Sequence, residues 1–209
     1  LLAVQSFGQI LTLSEGHEGA IKFLEQIFEV KDEARVRAAR FLAPYYQAQE
    51  AYDSYLSCLQ ALLDGDIEKE ERRDILLELS EAYLNRLDDS KQAFSYACNA
   101  FEVDSHDGRV RALLEQIAQD NNLYQELAHF YAEKIELIEE RDLAQLVRHR
   151  LADIYEIELE RNQEAIDVHM RIIEFSPSDQ ESLSALERLY KELGSFAELA
   201  EVYERRISQ

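Results

Sequence analysis

The sequence predicts an all-α fold, an α-solenoid of about six antiparallel helical hairpins, and three observations lead to this prediction. The chain matches itself when it is shifted by 72 residues. Apolar residues recur at helical spacing and are interrupted by turn signals about every 15 to 20 residues. Glycine and proline are scarce, at six and two of 209 residues, which favours helices joined by short turns over strands or long linkers.

The self-match runs without a gap from Leu79 to the C-terminus. Apolar, aromatic and acidic residues coincide at the same offset: Leu79 with Leu151, Tyr83 with Tyr155, Leu87 with Leu159, Ala93 with Ala165, Asp107 with Asp179, Glu115 with Glu187, Tyr131 with Tyr203, and Ile135 with Ile207. A fixed period of this length indicates stacked copies of one supersecondary unit. We therefore expect a single helical repeat array over residues 1–209.

Each 72-residue repeat divides into two hairpins, so that twelve helices are expected. The predicted hairpins cover residues 1–30, 32–63, 69–103, 107–139, 142–175 and 179–208. Their helices are predicted at 1–13, 17–30, 32–46, 49–63, 69–87, 90–103, 107–120, 123–139, 142–159, 162–175, 179–193 and 195–208.

Turn residues mark the ends of these helices. The segment Ser176–Asp179 ends one helix and caps the next, because proline suits a first helical turn and Asp or Ser accepts hydrogen bonds from free N–H groups. The segment Asp104–Asp107 takes the same place one period earlier. Gly194 lies between two helices, where a left-handed residue ends a helix easily.

Two features are expected to interrupt the regular array. The charged segment from Asp64 to Arg73 is the longest connection and the best candidate for a flexible joint. Pro44 falls late in a helical pattern, and we expect it to kink or end that helix near Ala43.

The charge of the chain restricts its partners. The formal net charge is −21, from 43 acidic and 22 basic residues. This excludes a general nucleic-acid surface, which needs clustered Lys and Arg, and anionic membranes would repel the chain. A basic or hydrophobic polypeptide is the compatible partner. The alternative, that acidity only keeps a long and narrow scaffold soluble, stays open.

The two cysteines and the hydropathy of the chain favour a cytoplasmic location. Cys58 and Cys98 form no CxxC pair, so neither a disulfide framework nor a zinc site is predicted. No apolar run reaches membrane-spanning length, and no signal peptide is visible. Because the chain opens Leu1-Leu2-Ala3 without an initiator Met, we interpret it as a segment of a longer protein.

Small and aromatic residues recur at fixed places in the hairpins. Matching positions are Leu151, Ala152, Tyr155, Ala165, Ile172 and Pro177 in one unit, Leu79, Ser80, Tyr83, Ala93 and Ala100 in another, and Leu189, Tyr190, Gly194 and Tyr203 in the last. This pattern resembles the tetratricopeptide repeat (TPR) family, a helix-turn-helix motif of about 34 residues. The departures are one extra residue before Ala165, Leu199 in place of the usual Ala, the absence of the early Trp, and a poor match in the first two hairpins.

The resemblance implies a right-handed superhelix whose first helices line a concave groove, and a protein-interaction scaffold that binds a peptide or helix there. The positions that it places in the groove are Arg37, Phe41, Tyr45, Leu77, Glu81, Asn85, Gln116, Gln119, His149, Asp153, Glu156 and Arg188. The middle of this lining is acidic and its N-terminal part aromatic. TPR domains that clamp a carboxylate terminus use Lys, Arg and Asn at successive positions. Here Glu81, Gln116 and Asp153 stand there, which disfavours that subclass.

The sequence predicts no enzyme and no cofactor. Glu126 and His129 form a Glu-x-x-His step of the kind that di-iron bundles use twice, but the counterpart one period later is Glu198 with Glu201. We therefore expect a satisfied or solvent-facing His129. The sequence holds no Gly-rich phosphate loop, nucleophile elbow or Cys–His pair.

Three functions stay open. The first is an interaction module with a peptide in the groove. The second is an architectural spacer that assembles through its ends, since the apolar opening Leu1–Val4 looks like a repeat interface without a polar cap. The third is the regulation of a catalytic domain outside this segment.

Overall fold

The protein is described by a computed structural model that covers residues 2–14, 16–30 and 33–207. Within these ranges the chain forms twelve α helices and no strand, which confirms the all-α prediction. The helices are α1 (Leu2–Leu13), α2 (Glu18–Phe28), α3 (Glu33–Ala48), α4 (Tyr52–Leu63), α5 (Lys69–Asn85), α6 (Ser90–Val103), α7 (Gly108–Asp120), α8 (Tyr124–Lys134), α9 (Arg141–Asp153), α10 (Asn162–Phe175), α11 (Gln180–Leu193) and α12 (Phe196–Ile207). The predicted helix ends at residues 1, 32 and 208 lie outside the described ranges.

Two short turns extend helices of this set. A 3-10 turn, Ile135–Leu137, follows α8, and a π turn, Ile154–Glu158, follows α9. No helix in the described part of the chain combines the length and hydropathy of a membrane-spanning segment.

Many consecutive helices pack against each other, because their connections are too short to lead elsewhere. Helix α1 packs on α2, α3 on α4, α5 on α6, α9 on α10, and α11 on α12. The second helix of a hairpin also packs on the first helix of the next, as in α2 with α3, α4 with α5, α8 with α9, and α10 with α11. The chain thus has the packing of a TPR-like helical repeat.

The chain divides into two compact units, Leu1–Val110 and Arg111–Gln209. The core of the first unit contains Leu24, Leu42 and Leu79, all fully buried. The core of the second contains a cluster built from α10, α11 and α12, which includes the fully buried Leu183 and Leu186. Each unit therefore has its own apolar core.

Left-handed residues recur with the 72-residue period. One series of positive φ angles consists of Gly16 (85°), Asp88 (52°) and Glu160 (54°), and a second consists of Glu50 (56°), Asn122 (55°) and Gly194 (70°). Within each series, neighbours lie 72 residues apart. Both series begin in the first two hairpins, which match the TPR motif poorly in sequence. The backbone conformation therefore repeats over the whole array, including the first two hairpins, where the side chains no longer follow the motif.

The first helices of two hairpins, α5 and α9, are followed by the same pattern of backbone hydrogen bonds. The N–H of Leu87 donates to the carbonyl of Ala82 (3.4 Å) and that of Asp89 to Tyr83 (3.0 Å). One period later, Leu159 donates to Ile154 (3.0 Å) and Arg161 to Tyr155 (2.6 Å). These wider turns accommodate the residue that is extra relative to the TPR motif, which the spacing before Ala165 indicated.

Small residues lie buried where paired helices meet. Ala93, Ala97 and Ala100 of α6 are fully buried, as is Ala165 of α10. The hydroxyl of buried Ser80 donates to the carbonyl of Ala93 (2.8 Å), which links α5 to α6. Close helix approach at these positions leaves no space for a larger side chain.

The structure bears differently on the two predicted interruptions. Helix α3 continues through Pro44 to Ala48, so an end near Ala43 is wrong. Residues on both sides of the proline, including Leu42 and Tyr46, pack on the same core, and this packing outweighs one missing backbone hydrogen bond. In the connection after α4, the guanidinium of Arg72 donates to the carbonyls of Leu63 (2.8 Å) and Gly65 (2.9 Å), which ties this segment to α5.

Candidate functional site

The aromatic part of the predicted groove lies on α3 in the first unit. Arg37, Phe41 and Tyr45 are four residues apart and so share one helical face. Arg37 is exposed and pairs with Glu33 on its own helix (2.9 Å). Phe41 and Tyr45 are half-buried and pack against the core of this unit.

Phe41 takes its position because residue 8 is glycine. A Cβ atom added to Gly8 of α1 would lie 2.3 Å from the Phe41 ring, so α1 can approach the ring only without a side chain at that position. Next to Gly8 on α1, Phe7 stacks on Phe23 of α2, with ring centroids 4.2 Å apart. The first hairpin therefore supports the aromatic face of α3.

A cavity of about 210 Å³ opens between α1 and α3 in the first unit. Its walls combine aliphatic, aromatic and amide groups with one cation: Leu11, Thr12, Arg40, Phe41, Pro44, Tyr45, Ala48 and Gln49. At the rim, the Arg40 guanidinium binds both carboxylate oxygens of Glu71 on α5, at 2.7 and 3.3 Å. A bidentate pair of this kind holds the Arg40 side chain in one position and links α3 to α5.

The three predicted groove residues on α5 differ in their exposure to solvent. Glu81 and Asn85 are exposed, whereas Leu77 is only 9% exposed. Leu77 therefore contributes to packing and leaves little surface for a ligand.

An ion cluster at the start of α5 was missed by sequence reasoning. Arg73 bridges Asp74 (2.8 Å), Asp104 (3.1 Å) and Asp107 (3.2 Å), so the start of α5 is bound to the turn after α6. A hydrogen bond from the Arg109 side chain lowers the pKa of Asp107 to about 2. The signal in the sequence is the Asp104–Asp107 turn, whose carboxylates lie one repeat hairpin away from the basic start of α5.

The predicted positions of the second unit lie on α7, α9 with its π turn, and α11. Gln116 and Gln119 are exposed on α7. His149 is half-buried, and its Nε2 lies 3.1 Å from Asp179 at the start of α11. In the π turn, Glu156 forms an ion pair with Arg188 of α11 (2.5 Å). The structure thus brings these predicted residues of α9 and α11 together.

The acidic character of this lining is partly compensated. Arg188 neutralises Glu156, and Arg150 binds Glu115 at 2.9 Å, although neither Arg150 nor Glu115 was predicted. Burial raises the pKa of Asp153, while the nearby Arg150 acts in the opposite direction. In the first unit, Glu81 presents its carboxylate on an exposed helical face.

Behind this surface, His169 is a buried structural residue. Its Nδ1 lies 3.2 Å from the hydroxyl of buried Ser182, which joins α10 to α11. Burial lowers the pKa of His169 to about 4, and the nearby His149 acts in the same direction. The imidazole is therefore neutral at pH 7.

The histidine of the Glu-x-x-His step lies in solvent. His129 is 73% exposed, and its Nε2 lies 3.2 Å from Glu133 on the same helix. Among the described residues, no group of three His, Cys, Asp or Glu side chains is arranged to hold a metal ion.

Comparisons with known proteins concern the fold. The sequence matches no protein-family model and no curated protein. It is similar to a structure of MamA at 13% identity over 79% of this chain and 92% of that chain, with a TM-score of 0.43. It is also similar to the TPR domain of P58(IPK) at 17% identity over 98% of this chain and 59% of that chain, with a TM-score of 0.45. Likeness at this level assigns neither a partner nor a family, and membership of the TPR family stays a prediction.

Proposed function

We propose that the chain is a protein-interaction module, in which the faces of first helices α3 and α5 bind a segment of a partner polypeptide. The observation that carries this proposal is the cavity between α1 and α3, because it combines an apolar floor with half-buried aromatic walls. Apolar sites with a few placed polar groups are the usual receptors for ligands. A volume of about 210 Å³ suits one large apolar side chain of a peptide.

The rest of this surface favours a segment with both apolar and basic residues. Arg40 is already paired with Glu71, so the cavity rim adds little net charge. Glu81 lies ten residues beyond Glu71, or about 15 Å along the α5 axis, and exposes its carboxylate. With a net charge of −21, the protein attracts cationic segments at long range.

The test uses peptides selected from a random library against the intact chain, with affinities measured by calorimetry. The variant Ala48→Phe fills the cavity from an exposed lining position and should weaken binding about tenfold or more. Glu81→Lys should weaken the binding of basic peptides, and added salt should reduce the affinity of these peptides for the parent chain. Glu102→Lys, on the second helix α6 of the same unit, is the matched charge control and should bind like the wild type.

Selection of no peptide, or of peptides that bind Ala48→Phe and the parent chain equally, would contradict the proposal. If Glu102→Lys weakens peptide binding as much as Glu81→Lys does, the peptide binds the second helices and the proposal is wrong.

A further inference from the structure

A second cavity opens inside the second unit, where α8 and α10 both pack on α9. Its volume is about 260 Å³, and its apolar lining comes from Ala132 of α8, Ile135 of the 3-10 turn, Leu151 of α9 and Val168 of α10. Ile135 and Leu151 belong to the buried core, at 5% and 3% exposure. The cavity is therefore an opening that leads from the surface to the core of this unit.

The internal repeat explains why the second unit has this cavity. Corresponding helices of the two units begin 72 residues apart, so that their positions can be compared directly. In the first unit, Nε2 of Gln60 on α4 donates a hydrogen bond to the hydroxyl of Tyr96 on α6 (3.0 Å). Ala132 and Val168 stand in these two places in the second unit. Because they are smaller, they leave open the space that glutamine and tyrosine occupy in the first unit.

The same comparison shows a buried cation in the cavity wall. Arg148 of α9 takes the place of Leu76, which is a core residue of the first unit and 4% exposed. The Arg148 side chain is only 9% exposed, and it lines the cavity. Its Cζ lies 4.8 Å from the ring centroid of Phe175, which packs on the guanidinium. A charge in place of leucine is costly unless its N–H groups have good acceptors.

The two polar partners of Arg148 within the described residues bind it weakly. Its Nη1 lies 3.4 Å from the amide oxygen of Gln145, which is long for a hydrogen bond. Its Nη2 lies 3.6 Å from Glu136, whose side chain is 60% exposed, so water screens this ion pair. A carboxylate that accepts two parallel N–H bonds would satisfy the guanidinium far better.

The charged groups at the mouth of the cavity favour a ligand with a single negative charge. Arg171 of α10 lines the cavity and is exposed, and Asp167, one turn earlier, accepts a hydrogen bond from Gln163 on its own helix (3.2 Å). Glu136 competes for Arg148, but its exposed position in the 3-10 turn lets its carboxylate rotate into water. Two nearby acidic side chains would repel a phosphate dianion more strongly than a monocarboxylate.

We propose that this cavity binds a small organic acid that has one carboxylate and an apolar body. The carboxylate pairs with Arg148, and the apolar body lies against Ile135, Leu151 and Val168. Pockets for drug-sized molecules have volumes of about 300 to 1,000 Å³, so a volume of about 260 Å³ indicates a smaller ligand, of roughly ten non-hydrogen atoms. The site is separate from the peptide surface on α3 and α5 and does not depend on it.

The test is an NMR titration of the intact, isotope-labelled chain with phenylacetate. Phenylacetamide, which has nearly the same shape but no charge, is the matched control ligand. Both are added up to about 10 mM, since ligands of this size bind weakly. Phenylacetate should shift the amide signals of α8, α9 and α10 around the cavity. It should also bind about tenfold or more tightly than phenylacetamide, because the charged hydrogen bonds to Arg148 are lost in the amide.

Three variants and one control assign the site. Arg148→Leu restores the residue of the first unit and should weaken phenylacetate binding about tenfold or more. Val168→Tyr fills the cavity and should abolish binding. Glu136→Gln removes the competing carboxylate and should tighten binding about two- to fivefold. Lys91→Leu, at an exposed position of α6 in the first unit, removes one cation elsewhere and should bind like the parent chain.

The absence of shifts up to the highest concentration, or equal affinity for phenylacetate and phenylacetamide, would overturn the proposal. So would binding of phenylacetate to Arg148→Leu with parental affinity. Urea unfolding curves show whether each variant is folded. If Arg148→Leu does not fold, the other two variants decide: weaker binding by Val168→Tyr together with tighter binding by Glu136→Gln supports the site, and unchanged binding by either overturns it.

Discussion

Replacement of Gly8 by alanine tests whether α1 supports the aromatic wall of the cavity. The new Cβ would lie 2.3 Å from two Phe41 ring carbons and 2.5 Å from a third. Overpacking typically costs 1 to 3 kcal/mol, and three contacts this short place the cost near the upper end, about 3 kcal/mol. Alanine in a helix interior recovers about 1 kcal/mol relative to glycine. The expected net loss is about 2 kcal/mol, or a fall in Tm of about 4 to 8 °C.

Urea unfolding followed by circular dichroism measures this loss, with Gly19→Ala of α2 as the control. A Cβ on Gly19 in the first turn of α2 meets only the ring of His17, at 3.3 Å. Because this ring also accepts a hydrogen bond from the N–H of Ala20, the small gain from alanine is offset, and the variant should stay within about 0.5 kcal/mol of the parent. Adding Phe41→Leu to Gly8→Ala should remove part of the loss, since the two residues are in contact. If Gly8→Ala behaves like Gly19→Ala, the approach of α1 to Phe41 is wrong.

Three further predictions concern the cores and the connection. Ala93→Asp and Ala165→Asp each bury an unpaired charge between two helices and should lower the free energy of unfolding by about 3 kcal/mol or more. In the same urea assay, Ala112→Asp on the exposed face of α7 should lose only the helix propensity of alanine, about 0.7 kcal/mol. Arg72→Ala leaves two carbonyls in the connection after α4 without their donor and should lower the free energy of unfolding by about 1 to 3 kcal/mol. Amide hydrogens at the start of α5 should also exchange faster in this variant. His169 has a folded pKa of about 4 against 6.5, so the unfolded state binds its proton first as pH falls. The contribution of His169 to the free energy of unfolding should therefore be complete above pH 6.5 and should fall by about 3 kcal/mol towards pH 4. The variant His169→Gln should lack this decrease. If NMR shows that His169 titrates near pH 6.5 in the folded protein, its burial is wrong.

The helices and turns could be predicted because their signals are local. Turn residues such as Asp179 and Gly194 occupy positions that only a cap or a left-handed residue fills well, and the structure uses them in that way. The spacing before Ala165 indicated an extra residue, and the π turn accommodates it. The predicted end of α3 near Ala43 was wrong, because the effect of Pro44 depends on the tertiary packing of the helix on both sides of it, which no local pattern describes.

The candidate site was less accessible to sequence reasoning. The motif placed Phe41 and Tyr45 on one face but could not show that glycine at position 8 brings α1 against them. It also missed Arg40, whose partner Glu71 lies 31 residues away in the chain. Leu77 was assigned to the ligand surface by its position in the repeat, yet its side chain is buried. Contacts between hairpins decide each of these cases.

The most direct measurement of the central claim is the position of a bound peptide on the first unit. A selected peptide that carries a photoreactive benzophenone is cross-linked to the chain, and the modified residues are identified by mass spectrometry. The proposal predicts adducts on α3 and α5 around the cavity, which an excess of unlabelled peptide and the Ala48→Phe change should both suppress. Adducts confined to α4 and α6 would show that the second helices bind the partner, and the assignment of the site to the first helices would be wrong.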